Sequence, residues 1–193
     1  MTTTAPAFRS ETGRLILRDW RPEDWPVFFR HTNTPAVMRW LGELLTEERQ
    51  VTLRERVAAC AARNGHCFWV VERKADGGHL AGEILGFCGL KRADAPGSTV
   101  AGEIEIGWRL REDAWGHGYA TEAAAASLDA GFGRFGAGRI VAITVIGNAA
   151  SWGLMKRLGM RRREDLDYPD ERYAPPLRDT IVYEILREEW SGA

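Results

Sequence analysis

Residues 103–110 read Glu-Ile-Glu-Ile-Gly-Trp-Arg-Leu, and residues 115–120 read Trp-Gly-His-Gly-Tyr-Ala. The first stretch alternates between polar and apolar side chains, which predicts a β-strand. The second stretch is a glycine turn that opens into an alanine-rich helical segment. Glycine lets the main chain approach a ligand without a Cβ clash, and the first turn of a helix offers free N–H groups at the positive end of its dipole. Together the two stretches predict an anion site, and phosphate is the first candidate.

The length and composition of the chain fit one domain. Its 193 residues are 45% hydrophobic, which is enough for a sizeable core. No internal repeat, linker or low-complexity block interrupts the sequence. We therefore expect a single domain over residues 1–193, with a disordered segment at residues 1–8.

The charge pattern and the segment types argue against several partners. The formal net charge is −1 and the signs are interspersed, whereas duplex DNA and anionic membranes call for clustered Lys and Arg. The chain begins without a basic and then apolar region, and it has no run of about 18 apolar residues. The cysteines and histidines lack metal-ligand spacing. We expect a cytoplasmic protein with no nucleic-acid, membrane or metal partner.

The remaining elements alternate between strands and helices. Residues 139–146 form the most continuous apolar, β-branched run, which suits a strand buried on both faces. Because a helix at 119–135 separates this run from strand 103–110, the two strands are expected to pair in parallel. Further strands are predicted at 14–20, 66–73, 80–90, 161–166 and 180–186, and further helices at 22–32, 36–41, 47–63 and 148–158.

Three segments carry a resemblance to a known family: residues 105–110, 115–123 and 148–160. In this order and context they resemble the GNAT superfamily of acyl-CoA-dependent N-acyltransferases, and within it the branch of ribosomal-protein N-terminal acetyltransferases. The resemblance implies an α/β (mixed α+β) GNAT fold. Its central, mostly antiparallel sheet of about seven strands would splay between two parallel middle strands and be flanked by helices. The resemblance makes a homodimer one candidate assembly, because relatives are often dimers.

The resemblance further implies that acetyl-CoA (coenzyme A) is the cosubstrate. Its pantetheine arm would enter the splay and bond to the backbone near residues 108–110, while its pyrophosphate would sit on the N–H groups of the turn. Many relatives begin this turn with Gln or Arg, whereas Trp115 stands here and is expected to pack. The candidate cofactor contacts are Trp108, Arg109, Leu110, Trp115, Gly116, His117, Gly118, Tyr119, Ala120, Thr121, Asn148 and Ser151.

Acetyl transfer from a thioester to an amine requires the neutral amine. An α-amino group, with a pKa of about 7.7 to 8.0, is closer to neutral than a lysine at about 10.4, so a protein or peptide N-terminus is the easier acceptor. Glu103 and Glu105 share one strand face, where two carboxylates can raise each other's pKa. The resemblance makes Glu105 the leading general base and Glu103 the alternative. The plainer interpretation is that both face solvent or pair with Arg109.

The group that assists the departing thiolate differs from that of many relatives. Many relatives use a tyrosine where Met155 stands, and methionine has no proton to give. The resemblance points instead to Ser151, which would donate a proton or only a hydrogen bond, and to Asn148 as a contact of the pantetheine amide. The alternative role for Asn148 is an N-cap of the helix that follows.

Other functions stay open at this point. A small-molecule amine or antibiotic acetyltransferase would share the fold, and a non-catalytic acyl-CoA sensor would share the cofactor site. A dinucleotide oxidoreductase fits poorly, because Thr121 replaces the third glycine of its fingerprint and Gly136 stands where an acidic residue is wanted. Residues that could line an acceptor pocket are Trp40, Trp69, Tyr168 and Arg178.

Overall fold

A mixed nine-stranded sheet forms the centre of the molecule, for which a computed structural model describes residues 7–192. Every strand pair is antiparallel except β5 with β6, and the strand order is β1-β2-β3-β4-β5-β6-β9-β7, with β8 also paired with β9. The strands are β1 Arg9–Glu11, β2 Leu15–Arg18, β3 Phe68–Arg73, β4 Ile84–Arg92, β5 Ile104–Leu110, β6 Arg139–Val145, β7 Arg161–Arg162, β8 Tyr168–Pro169 and β9 Asp179–Leu186. The predicted fold class is confirmed, and the short strands β1 and β8 are additions to the predicted seven.

Five α-helices flank the sheet, and polar caps set several of their ends. Thr46 accepts a hydrogen bond from Arg49 N at the start of α3, and Gly65 ends that helix in the left-handed conformation. These ends lie within one residue of the prediction. The helices are α1 Asp24–Thr32, α2 Pro35–Met38, α3 Glu47–Asn64, α4 Tyr119–Asp129, which a π-helical turn extends to Arg134, and α5 Ala149–Arg157.

The predicted strand at 161–166 is only two residues long. After β7 the chain turns through a 3₁₀ segment at Glu164–Leu166. There the Asp167 carboxylate accepts a hydrogen bond from the N–H of Val182 on β9 at 3.0 Å. In a longer strand, a backbone carbonyl would have accepted this bond. A side-chain hydrogen bond between residues distant in sequence therefore replaces the regular pairing.

The parallel strands β5 and β6 are paired at one end only. Their register joins Ile104 with Ile140 and Glu105 with Val141, and no further. Beyond these pairs β5 stays with β4 up to Leu110, and β6 stays with β9 through its last residue. The sheet therefore opens into a V, which we call the splay, and Glu105 lies at its apex.

The two faces of the sheet carry different packing. The main core lies between one face of the sheet and α4. On the other face, an aromatic cluster lies beneath α1 and α3. Trp69 is fully buried in the main core, where it stacks on Phe8 at 3.8 Å between ring centres. Trp69 is therefore a core residue and not part of an acceptor pocket. Phe8 is ordered, contrary to the disorder expected for residues 1–8, because its ring is buried against Trp69. Residues 1–6 lie outside the described part of the chain.

None of the helices within residues 7–192 has the length and apolar content that a bilayer crossing requires.

Candidate functional site

The glycine turn before α4 presents its backbone outward. Gly116 and Gly118 have φ of +77° and +78°, a conformation that glycine adopts at low cost. In this described region, no side chain caps the N-terminus of α4, and the first amide to bond back onto the turn is that of Glu122, to Gly118 O at 3.1 Å. The amides between them, including those of Ala120 and Thr121, remain available to an anion.

Side chains around this turn hold it in place. The Tyr119 ring is buried, and its hydroxyl donates to His79 O at 3.0 Å. His117 is exposed and stacks on the His79 ring at 3.9 Å, while Arg14 Nη1 donates to His117 O at 3.0 Å. His117 thus braces the turn with its ring, and Arg14 holds its backbone carbonyl.

Main-chain direction along β5 decides which residues face the splay. Arg111 N donates to Leu85 O on β4 at 2.8 Å. Alternate residues of a strand point their N–H and C=O groups to the same side. Arg109 therefore also turns its main chain toward β4, whereas Trp108 and Leu110 turn theirs toward the splay. Consequently, Arg109 leaves the set of candidate backbone contacts for the pantetheine arm.

Trp115 is only partly packed, contrary to expectation. Its ring is 47% exposed, and its Nε1 donates to Leu110 O at 3.0 Å. Because this bond engages the carbonyl of Leu110, Trp108 is the β5 residue whose main chain is best placed for a strand-like bond to a ligand in the splay. The indole also ties the turn to the end of the strand.

The other wall of the splay is the junction of β6 with α5. Asn148 Oδ1 accepts the Ser151 N–H at 3.4 Å, so Asn148 acts as the N-cap of α5. The Trp40 ring covers Gly147, where an added Cβ would lie 2.6 Å from it. Met155 is buried in the core at 1% exposure. Trp40, Asn148 and the half-buried Ser151 therefore line this wall, and Met155 does not.

The apex carboxylate belongs to a charge cluster that is only partly buried. Glu105 is 15% exposed, and its Oε2 lies 3.1 Å from Lys91 Nζ, which also lies 2.7 Å from Asp94 Oδ1. Burial raises the pKa of Glu105 above its ordinary value, although Lys91 opposes the shift. Burial opposes the charge on Lys91, yet Glu105 and Asp94 outweigh it and raise the Lys91 pKa. A carboxylate with a raised pKa at the apex is suited to accept a proton.

Glu103 has a different environment. Its carboxylate pairs with Arg139 Nη2 at 2.8 Å, and Arg139 Nη1 reaches the buried Glu184 at 3.3 Å. Glu103 is therefore not what raises the pKa of Glu105. Burial is the largest cause of that rise, and the carboxylate that adds to it is Asp94. Glu103 belongs to an ion pair beside the start of β6.

The sequence did not single out Lys91 and Asp94, the two residues that form a charge cluster with Glu105. Lys91 is opposite Glu105 in the antiparallel register of β4 with β5, and Asp94 follows just after β4. Spotting them requires that register, because fourteen positions separate Lys91 from Glu105. Of the other candidates for an acceptor pocket, Tyr168 is buried and Arg178 pairs with Glu171 at 2.7 Å.

Comparison with known proteins identifies the family. A family model described as acetyltransferase (GNAT) domain matches residues 14–161. The chain belongs to the GNAT acetyltransferase family. This GNAT protein is 30% identical over 187 residues to the uncharacterized N-acetyltransferase YnaD of Bacillus subtilis (strain 168), which covers 93% of this chain and 98% of the relative. Its structure resembles that of a GNAT-family acetyltransferase from Bacillus anthracis, with a TM-score of 0.73 and 25% identity over 94% of this chain and all of the other.

A further relative carries a more specific name. The FsC-acetyl coenzyme A-N(2)-transacetylase of Aspergillus fumigatus is 28% identical over 163 residues, with 81% of this chain and 66% of the relative covered. These matches and the fold make the protein an N-acetyltransferase, and its acceptor is an amine.

Proposed function

We propose that this GNAT protein transfers the acetyl group of acetyl-CoA to the N-terminal α-amine of a protein or peptide, with Glu105 as general base and Ser151 assisting the departing thiolate. The observation that carries the proposal is the end of β5–β6 pairing at Glu105 and Val141. It places a carboxylate of raised pKa at the apex of an open V. GNAT acetyltransferases generally use acetyl-CoA, and the name of one relative includes that donor.

The residues around the splay fit this cosubstrate. The turn at Gly116 and Gly118 presents amides suited to a pyrophosphate. Trp108 turns its main chain toward the splay, and the side-chain amide of Asn148 has a donor, Nδ2, besides the oxygen that caps α5. When bound, the thioester supplies an activated acetyl group. The protein then has to place an amine beside Glu105.

Proton movement sets the roles of the polar groups at the apex. Glu105 accepts the amine proton directly or through a water molecule, and Lys91 favours the ionised form of the carboxylate beforehand. The Ser151 hydroxyl, in the first turn of α5, donates a hydrogen bond to the sulfur as it acquires negative charge. A reference pKa of about 7.7 to 8.0 makes an α-amine easier to deprotonate than a lysine side chain.

A panel of acceptors tests the proposed function. Purified protein and acetyl-CoA would be incubated with peptides that have free or blocked N-termini, with lysine-containing peptides and with small amines, and the products examined for acetyl mass shifts. We expect acetylation of free N-termini and its loss when they are blocked. Transfer confined to small amines would favour the small-molecule alternative, and binding of acetyl-CoA without any transfer would favour the sensor.

Lys91→Met is expected to move the acid side of the pH–rate profile to higher pH. Removing the cation beside Glu105 raises the pKa of its carboxylate further, so a higher pH is needed to ionise the base. The measurement is kcat/KM against pH with one peptide acceptor. Arg56→Met is the control, because Arg56 contacts Asp94 at 3.4 Å from an exposed position. An unchanged acid limb in Lys91→Met would show that Glu105 does not control it.

A further inference from the structure

Arg109 carries an enclosed guanidinium that lacks an anionic partner among residues 7–192. Its Nε and Nη1 atoms are buried and form no hydrogen bond. The guanidinium carbon lies 5.6 Å from the ring centre of Phe28 and 5.7 Å from that of Phe87. These rings stabilise the charge but satisfy none of its N–H donors. Burial accordingly lowers the pKa of Arg109 to about 10.

The buried arginines elsewhere in the described chain are paired. Each of them contacts a carboxylate: Arg18 with Asp24 at 2.7 Å, Arg73 with Asp76 at 2.8 Å, and Arg111 with Asp113 at 2.6 Å. Leaving a buried charge without a partner is unfavourable, so an arginine kept in this state calls for an explanation, and a ligand that supplies the missing anion is one. Arg109 as a residue is partly exposed, and Nη2 is the guanidinium nitrogen that is not among its buried, unpaired atoms, so an anion from outside meets the side chain at Nη2.

The position of Arg109 relates it to the catalytic apex. It lies four residues beyond Glu105 on β5, so both side chains project from the same face, with Cα atoms about 13 Å apart at roughly 3.3 Å per residue. Gly107 between them carries no side chain, and the Phe68 ring lies beside it, with Cε1 3.0 Å from an added Cβ. An aromatic surface therefore links the apex with Arg109.

This face is not the one that carries the glycine turn. Ile104, Ile106 and Leu110 pack into the core that α4 covers. The side chain of Arg109 instead packs against Phe28 of α1, on the opposite face. An anion bound by Arg109 would therefore lie on the opposite face of the sheet from the pyrophosphate. We assign this face, which carries the Glu105 and Arg109 side chains, to the acceptor.

We propose that Arg109 determines acceptor specificity by binding a carboxylate that the acceptor carries close to its reactive amine. This inference rests on the proposed function. An extended peptide advances about 3.3 to 3.6 Å per residue, so an Asp or Glu at its second or third position would reach Arg109 while the α-amine lies at Glu105. The Nη2 N–H groups would donate a charge-assisted hydrogen bond to that carboxylate. A polycationic small molecule would be repelled from the same position.

Matched peptides test this inference. Ser-Glu-Glu and Ser-Gln-Gln peptides of otherwise equal sequence would be compared as acceptors for the parent protein and for Arg109→Met. We expect the parent to favour the acidic peptide by about ten-fold or more in kcat/KM. Arg109→Met should lose this preference through a lower kcat/KM on the acidic peptide, with the KM for acetyl-CoA unchanged. Its thermal unfolding temperature should equal or exceed that of the parent, because the substitution removes an unpaired buried charge.

Several outcomes would overturn the assignment. Equal use of both peptides by the parent, or a preference that survives in Arg109→Met, would show that Arg109 does not read the acceptor, while the proposed acetyltransferase function would stand. A raised KM for acetyl-CoA would assign the side chain to the cosubstrate. A lower unfolding temperature with equal losses on both peptides would indicate a structural role. If the parent acetylates neither peptide but acetylates other amines, the peptide acceptor fails and Arg109 specificity with it.

Discussion

Glu105→Gln is expected to lower kcat by about 10² to 10³-fold, which is within the range for loss of a general base. Glutamine keeps the size of the side chain and can still accept a hydrogen bond from Lys91, but it cannot take a proton from the amine. The KM for acetyl-CoA should change little, because Glu105 lies at the apex and the turn at Gly116 and Gly118 is beyond the opposite end of β5. Steady-state kinetics with one peptide acceptor give both parameters.

Glu103→Gln is the matched control for this experiment. It makes the same chemical change two residues earlier, where the carboxylate pairs with Arg139 at 2.8 Å and is 38% exposed. We expect its kcat to stay within a few-fold of the parent, since a surface ion pair contributes little. Equal losses of kcat in both variants would mean that catalysis depends on the negative charge of the strand and that Glu105 is not a specific base. Parent-like turnover in Glu105→Gln at every pH would remove Glu105 from the mechanism.

Asp24→Asn should lower the free energy of unfolding by about 3 to 5 kcal/mol, because it leaves a buried arginine without its main partner. Asp24 is 2% exposed and Arg18 is 6% exposed, and two hydrogen bonds of 2.7 and 2.9 Å join them. Glu72 holds only the Nε of Arg18, at 2.8 Å. The loss is a large fraction of the stability of a typical domain. Urea unfolding followed by circular dichroism measures it.

We also expect the Arg18–Asp24 pair to make the stability of the protein depend on pH in acid. Burial opposes ionisation of Asp24, but hydrogen bonds from Arg18 and from the Arg21 N–H outweigh it and lower the Asp24 pKa. Its contribution is present above the unfolded pKa of about 3.9 and is lost as the pH falls through the lower folded value. Asp24→Asn should lack this part of the acid dependence. Glu11→Gln, which breaks the exposed pairs with Arg9 and Lys74, should leave the free energy of unfolding nearly unchanged.

Local sequence signals were sufficient for most of the fold. The Thr46 cap and the Gly65 stop define α3, and the apolar run at 139–146 became β6, paired with β5 in parallel. The short strands β1 and β8 were missed because two or three residues carry no readable alternation. The strand at 161–166 was overestimated because the bond from Val182 N to Asp167 depends on tertiary contact.

The site was predictable only where it follows from backbone shape. Positive φ at Gly116 and Gly118 is a property of the turn itself. The Lys91–Glu105 pair depends on strand register, and the unpaired state of Arg109 depends on the absence of a nearby carboxylate in the described fold. Neither condition is visible in a linear pattern, since both involve residues brought together by the sheet.

The most direct test of the account is the affinity for acetyl-CoA of the parent and of Gly118→Val, measured by isothermal titration calorimetry. Gly136→Val is the matched control: Gly136 has φ of +67°, so the backbone cost is similar, but it lies outside the turn. We predict that the parent and Gly136→Val bind acetyl-CoA equally and do not bind NAD. Gly118→Val should bind at least ten-fold more weakly, because valine does not readily hold the φ of +78° with which Gly118 shapes the turn that presents the amides. Parent-like affinity in Gly118→Val, or binding of NAD in place of acetyl-CoA, would contradict the account.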